Sequence, residues 1–372
     1  MPDSDTPPKS ILVAPLDWGL GHAARCIPLI RELLHSGCHV LIGAEGAQAV
    51  LLHREFPHIP ILPLPGYRVK YNDGNSGYAL KMALQLPKIC LAIKREKKWL
   101  TKAVADHSID AVISDNRFGL HHPDIPSVIM THQLHLKAPF SRITEKRLET
   151  LNYYFLQKFN ACWVVDFEGN ENLAGDLSHP GVLPAMEMKH LGALSRFEYH
   201  PSEPLKYDLL ILISGPEPQR SIFEKMIMDQ IRPFTEKQVI IVSGKPAFPF
   251  DKMLTKNIRH VNHLDSKTLN EIALQSKIIV CRSGYTTIMD LIKLRKRAIL
   301  IPTPGQTEQE YLGKYLMEKS YFLSVSQKSF RLDEALQKAE SFPFRVFSAP
   351  MEQYVAVIDD FIKNRIIKCP KE

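Results

Sequence analysis

Along this chain, short unbroken apolar runs alternate with stretches in which apolar residues recur every three or four positions. Unbroken runs bounded by polar turns read as buried strands, and the three-to-four spacing reads as amphipathic helix. Ile11–Leu16, Val40–Ala44, Ile109–Ser114, Ser127–Thr131 and Cys162–Val165 are strands on this pattern. Between them, Ile27, Leu29, Ile30, Leu33 and Leu34 mark a helix closing at Ser36-Gly37, and further helices are predicted over 78–106 and Arg142–Phe159. Pro57, Pro60, Pro63 and Pro65 keep Phe56–Pro65 extended, and Tyr67–Gly77 reads as a long loop. The rhythm stops at the polar, proline-bearing segment Phe197–Pro204 and then restarts. Strands Leu209–Ile213, Val239–Val242, Ile278–Val280, Ala298–Ile301 and Tyr321–Val325, with a short strand and turn over Ile258–Leu264, alternate with helices, and Met351–Lys363 is a closing amphipathic helix.

This pattern predicts an α/β protein of two Rossmann-like domains. The expected boundaries are a lead-in at 1–10, a first domain at 11–196, a linker at 197–206 and a second domain at 207–345. A last helical segment, 346–372, is expected to return to the first domain.

Ligands of open parallel sheets bind beyond the carboxyl ends of the strands, where helix N-termini gather. The first strand exits into Asp17-Trp18-Gly19-Leu20-Gly21-His22. Arg25 and Cys26 stand where a dinucleotide fingerprint would need its third glycine, and no P-loop string is present. His22, at the mouth of a helix, is either a capping side chain or a neutral base held so by the helix dipole. Asp115 ends a later strand and either caps the next turn or orients His22. His132-Gln133 stands at another exit; with His121, His122 and His135 the spacing is too irregular for a metal site.

The richest stretch is Cys281–Gln309, a strand–helix–strand–helix unit with polar residues at both strand exits. Gly284 permits close approach of a ligand, Thr286 and Thr287 add hydroxyls beside helix-start amides, and Asp290 lies one turn on. The set suits a phosphate with a sugar beside it; the plainer reading is an N-capped, exposed helix.

As a whole, Arg282–Gln309 resembles the donor-site signature of GT-B glycosyltransferases, closest to the family that includes the peptidoglycan N-acetylglucosaminyltransferase. The resemblance implies two domains facing across a cleft. It places Arg282, Ser283, Gly284, Thr286 and Thr287 at the donor, Asp290 at the ribose, and Glu308 and Gln309 at the donor sugar. Ser214, Gly215 and Arg220 correspond to a loop that touches the pyrophosphate, and His263 and Leu264 to the turn that reads the base. Glu308 stands where a second glutamine or histidine is usual, and Leu312 where asparagine is common. On the acceptor side it implies Gly19, Gly21 and His22, the last as base; from their places at strand exits, Asp115 is expected to orient His22, and His132 and Gln133 to face the cleft. The implied reaction is metal-independent, inverting transfer of a hexosyl group from a UDP-sugar to a hydroxyl, with no cofactor. The string from Gly19 to Cys26 also resembles a UDP-sugar hydrolase of the pseudaminic acid pathway, so hydrolysis is the alternative, with UDP-sugar epimerisation another.

Composition bounds the rest. With 45% hydrophobic and 23% charged residues the chain reads as an ordinary globular protein. No apolar run spans a bilayer and the first residues hold no secretory segment, so a cytoplasmic protein is expected. Six cysteines without a C-x-x-C pair read as reduced thiols. The net charge of +7 gathers partly on helix 78–106, where Lys81, Lys88, Lys94, Arg95, Lys97, Lys98 and Lys102 surround apolar residues. That face reads as a solvated surface or as a contact with the inner face of an anionic membrane or a lipid-linked acceptor. No nucleic-acid partner is expected.

Overall fold

A computed structural model of the chain describes residues 8–67, 78–137, 142–201, 204–244 and 250–366. The start of the expected lead-in, the 68–77 part of the expected loop, the Lys81 side chain and Cys369 lie outside them. Two compact units emerge, divided between Leu194 and Ser195, with Pro350 onward belonging to the first.

The first unit runs β1 (Ser10–Ala14), α1 (Leu20–His35), β2 (His39–Ala44), α2 (Gly46–Glu55), β3 (Ile61–Pro63), α3 (Tyr78–His107), β4 (Ala111–Asp115), β5 (Ser127–Thr131), α4 (Arg142–Leu156), β6 (Ala161–Val164) and β7 (Glu187–His190). Its sheet is wholly parallel, in the order β3-β2-β1-β4-β5-β6-β7. Strands covered on both faces must be apolar throughout, which is why β1 and β4 appear as unbroken runs. Leu12, Ala14, Leu41 and Val112 of the sheet pack with Leu100 and Ala103 of α3.

The second unit runs β8 (Tyr207–Leu212), α5 (Gln219–Gln230), β9 (Val239–Val242), β10 (Asp251–Thr255), β11 (Ile258–Val261), α6 (Ser266–Leu274), β12 (Ser276–Cys281), α7 (Tyr285–Lys293), β13 (Ala298–Leu300), α8 (Thr307–Glu318), β14 (Leu323–Ser324) and α9 (Leu332–Ser341). Its order is β10-β11-β9-β8-β12-β13-β14, parallel except for β10. Leu209, Ile211, Val239, Ile241 and Val280 of the strands close on Phe223 and Ile227 of α5. The segment 197–206 starts inside this unit: Phe197 is buried, and Glu198 exchanges two hydrogen bonds with the Asn270 side chain.

The closing helix, α10 (Gln353–Phe361), packs on the first unit. Phe361 meets Trp163 edge-on at 5.2 Å between ring centres, and Asp360 pairs with Lys189 at 3.5 Å. Among the described residues no helix is long and apolar enough to cross a membrane. Of the described cysteines, Cys26, Cys38, Cys162 and Cys281 are buried and free, and Cys90 is exposed and free.

Candidate active site

In the first unit, strand register builds a polar cluster at the carboxyl edge of the sheet. Ala14 of β1 lies opposite Ser114 of β4, and Asp115 lies opposite Met130 of β5. The ends of three strands are therefore level, and the residues after them meet. Gly19 enters α1 at φ 91°, a conformation that favours glycine, so the chain turns directly from β1 into the helix carrying His22.

His22 Nδ1 lies 2.9 Å from Asp115 Oδ2, and the carboxylate is wholly buried. Arg25, one helical turn on and 1% exposed, grips the same carboxylate in a fork, its Nε 2.9 Å from Oδ2 and its Nη2 on Oδ1. Nη1 of Arg25 reaches His132 Nδ1 at 3.1 Å. Burial alone would raise the Asp115 carboxyl, but Arg25 and His22 outweigh it and hold it down to about 2. Burial lowers His22 below 6.5, Arg25 adding to the effect and Asp115 opposing it. The cluster thus holds an ionised carboxylate beside a neutral imidazole. With Nδ1 turned to the carboxylate, the second ring nitrogen, Nε2, is the one able to take a proton from a substrate.

The other residues expected on this side are close by in the chain. Gly19 accepts from Gln48 Nε2 at 3.3 Å, and Gly21 lies in the first turn of α1. The Gln133 amide donates to Thr131 Oγ1 and its carbonyl accepts from Asn152.

The second unit levels its strand ends in the same way: Leu212 pairs with Cys281 and with Val242, Cys281 with Leu300, and Val261 with Val242. This brings Ser214-Gly215, His263-Leu264, Arg282–Gly284 and Pro302–Gln306 to one edge. At its centre is the start of α7, where Gly284 is the N-cap and no side chain caps the helix. The backbone does not demand glycine there, since its φ is −72°. A methyl group at Gly284 would meet nothing nearer than Thr287 Oγ1, at 4.0 Å. What the glycine leaves is room in front of the helix-start amides, a place suited to an anion.

Several polar letters of the stretch prove to hold the corner together. Arg282, 1% exposed, donates to the carbonyls of Ile301 and Gln219 and lies 4.3 Å over the Phe223 ring, and burial lowers it to about 10. Ser283 Oγ donates to the Gln309 carbonyl at 2.8 Å. The Gln309 amide accepts from Thr303 N at 3.0 Å and donates to Gln306 Oε1, so it fixes the loop after β13 rather than pointing outward. Asp290 accepts from Ser195 Oγ at 2.6 Å, and burial lifts its carboxyl to about 6.

Arg220, expected at the pyrophosphate, is buried at the start of α5. Its guanidinium donates to Glu217, Glu224, Ser221 and the Ser243 carbonyl, which ties α5 to the end of β9. Ser214 and Gly215 lie in the turn before it, Gly215 at φ 107° and open to solvent. Thr286 and Thr287 occupy the first turn of α7, Glu308 that of α8, and His263 and Leu264 the half-buried turn before α6.

Residues that the sequence did not single out for a site are Arg25, Ser195 and Thr303. Arg25 alone had a signal: it lies three residues after His22, on the same face of α1.

Residues 215–363 match the glycosyltransferase family 28 C-terminal domain. No curated protein matches the chain. Among solved structures, the glycotransferase of kitacinnamycin superposes with a TM-score of 0.66 at 13% identity, covering 97% of this chain and 100% of its own. A spinosyn rhamnosyltransferase complexed with thymidine diphosphate reaches 0.55 at 13%, covering 95% and 92%. The Acinetobacter baumannii protein MurG reaches 0.50 at 14%, covering 97% and 94%. At such identities the likeness is one of fold, the GT-B fold. The matched domain and the shared fold are those of glycosyltransferases.

Proposed function

We propose, proceeding from a GT-B chain that carries a glycosyltransferase family 28 C-terminal domain, that the protein transfers a hexosyl group from a UDP-sugar to an acceptor hydroxyl with inversion. The observation that carries the mechanism is His22 held 2.9 Å from the buried Asp115 at the carboxyl edge of the first sheet. His22 Nε2 takes the acceptor's proton as the acceptor oxygen bonds to the anomeric carbon. The bond from that carbon to the diphosphate oxygen breaks in the same step, and UDP leaves with the electron pair. A single displacement of this kind inverts the centre. The α7 amides in front of Gly284 and the Ser214-Gly215 turn stabilise the charge gathering on the diphosphate. The thymidine diphosphate in the rhamnosyltransferase supports a nucleoside diphosphate in this role.

A lipid-linked or glycan acceptor fits the basic face of α3, with Lys88, Lys94, Lys97, Lys98 and Lys102 beside the exposed Leu91, as a contact to the inner face of an anionic membrane. The stretch from Gly19 to Cys26 favours a second reading, a UDP-sugar hydrolase with water in place of the acceptor.

Incubating the protein in EDTA with UDP-sugars, with and without acceptor glycans, separates these. Transfer is expected only with acceptor and without loss to the chelator. Rapid stoichiometric sugar release from the donor alone would mean hydrolysis, and donor conversion without UDP release would mean epimerisation.

Gly284→Ala tests the donor corner. The added methyl has room and a permitted φ, so stability should change by less than about 1 kcal/mol. Protection by UDP against thermal unfolding should fall, because the methyl fills the space before the amides. Undiminished protection would place the diphosphate elsewhere.

A further inference from the structure

We propose that Arg25 is a positioning residue that helps keep His22 a neutral base, by holding Asp115 in a buried ion pair and setting a cation beside the imidazole. The inference rests on the proton-accepting role given to His22 above.

A guanidinium can only donate, so a ring nitrogen facing it must offer a lone pair. His132 Nδ1, 3.1 Å from Arg25 Nη1, is on this ground the acceptor nitrogen of a neutral ring. His22 Nδ1 is placed differently. It is 2.9 Å from Asp115 Oδ2 and 2.9 Å from Arg25 Nη2. That one nitrogen can give a proton to the carboxylate or take a hydrogen bond from the guanidinium, but not both. The neutral ring with Nε2 free carries its hydrogen on Nδ1 and gives it to the carboxylate, as the imidazolium does; what the imidazolium adds is a like charge beside Arg25.

In an isolated His–Asp pair the carboxylate would favour the charged ring. Here burial lowers the ring most, Asp115 pulls it back up, and the buried arginine that grips the carboxylate in a fork opposes that pull with its own charge. The ionisable groups acting on the ring are Asp115 at the end of β4, His132 beyond β5, and Arg25 on α1 itself. Only Asp115 favours protonation. The device keeps the base unprotonated on the acid side of its ordinary range, while Asp115 still orients it.

The test is a heteronuclear NMR titration of His22 in the wild type and in Arg25→Met, beside the pH profile of kcat/KM. His22 should titrate below 6.5 in the wild type. In Arg25→Met it should move up by about one unit or more, since a cation has been removed from its contact. The acid limb of kcat/KM should move up with it, and Arg25→Lys, which keeps the charge, should return the limb toward the wild type. A merely structural Arg25 would lower the rate alike at every pH. An unmoved or lowered His22 titration in Arg25→Met overturns the proposal. A titration that moves while the rate profile stays fixed upholds the effect of Arg25 and removes His22 as the base. If Arg25→Met does not fold, Arg25→Gln, which keeps hydrogen-bond donors but not the charge, takes its place: an unmoved or lowered His22 titration in it overturns the inference.

Discussion

His22→Ala is expected to lower turnover by about 10²- to 10⁴-fold, the range spanned by loss of a general base, while UDP binding stays close to that of the wild type. The reason is the division of labour between the units. His22 and its partners Asp115, Arg25 and His132 all belong to the first. Gly284, the α7 start and Ser214-Gly215 belong to the second. Removing the imidazole takes away a proton acceptor and leaves the Arg25–Asp115 pair intact, so the local fold keeps its buried charge compensation. Single-turnover rates at saturating UDP-sugar, set beside calorimetric UDP titration, read the two effects separately. A variant that keeps its rate would show that His22 takes no proton. Parallel loss of rate and of UDP affinity would make His22 a structural residue.

How legible each feature was follows from where its partners lie. The parallel strands were visible because β1, β4 and β5, and the second half of β12, are buried on both faces and their residues form apolar runs. β10 was not, because all but the last of its residues are exposed on the edge of its sheet and show no such run. α2 and β7 escaped for a related reason: few of their residues are buried, so neither pattern is strong. His22 and Asp115 could be picked out because strand exits are where chemistry collects. Arg25 could not be assigned a role, since a charged residue in a helix reads as solvent-facing until its counter-charge, ninety residues away, is seen. The same holds for Arg282, Ser283, Gln309 and Arg220. Their residue types mark the corner, but whether each faces a ligand or a neighbouring carbonyl depends on strands folded in from elsewhere.

Asp115→Asn should destabilise the protein by about 3–5 kcal/mol at neutral pH, the range for breaking a buried ion pair by removing one partner. The amide has nearly the shape of the carboxylate, so the cost is electrostatic: Arg25 remains buried with its charge unanswered. The pH dependence has a definite sign. The carboxyl falls from 3.8 to about 2 on folding, so its contribution is present above 3.8 and disappears as pH drops toward 2. A shift of that size corresponds to about 2–3 kcal/mol. Urea unfolding from pH 7 down to pH 2 should show the gap between wild type and variant narrowing through that window. Adding Arg25→Met to Asp115→Asn should restore part of the loss, because two neutral groups replace a neutral group and a stranded cation. If Asp115→Asn were within about 1 kcal/mol of the wild type at pH 7, or if the second substitution only added to the loss, the Arg25–Asp115 pair would not be the electrostatic anchor of this site.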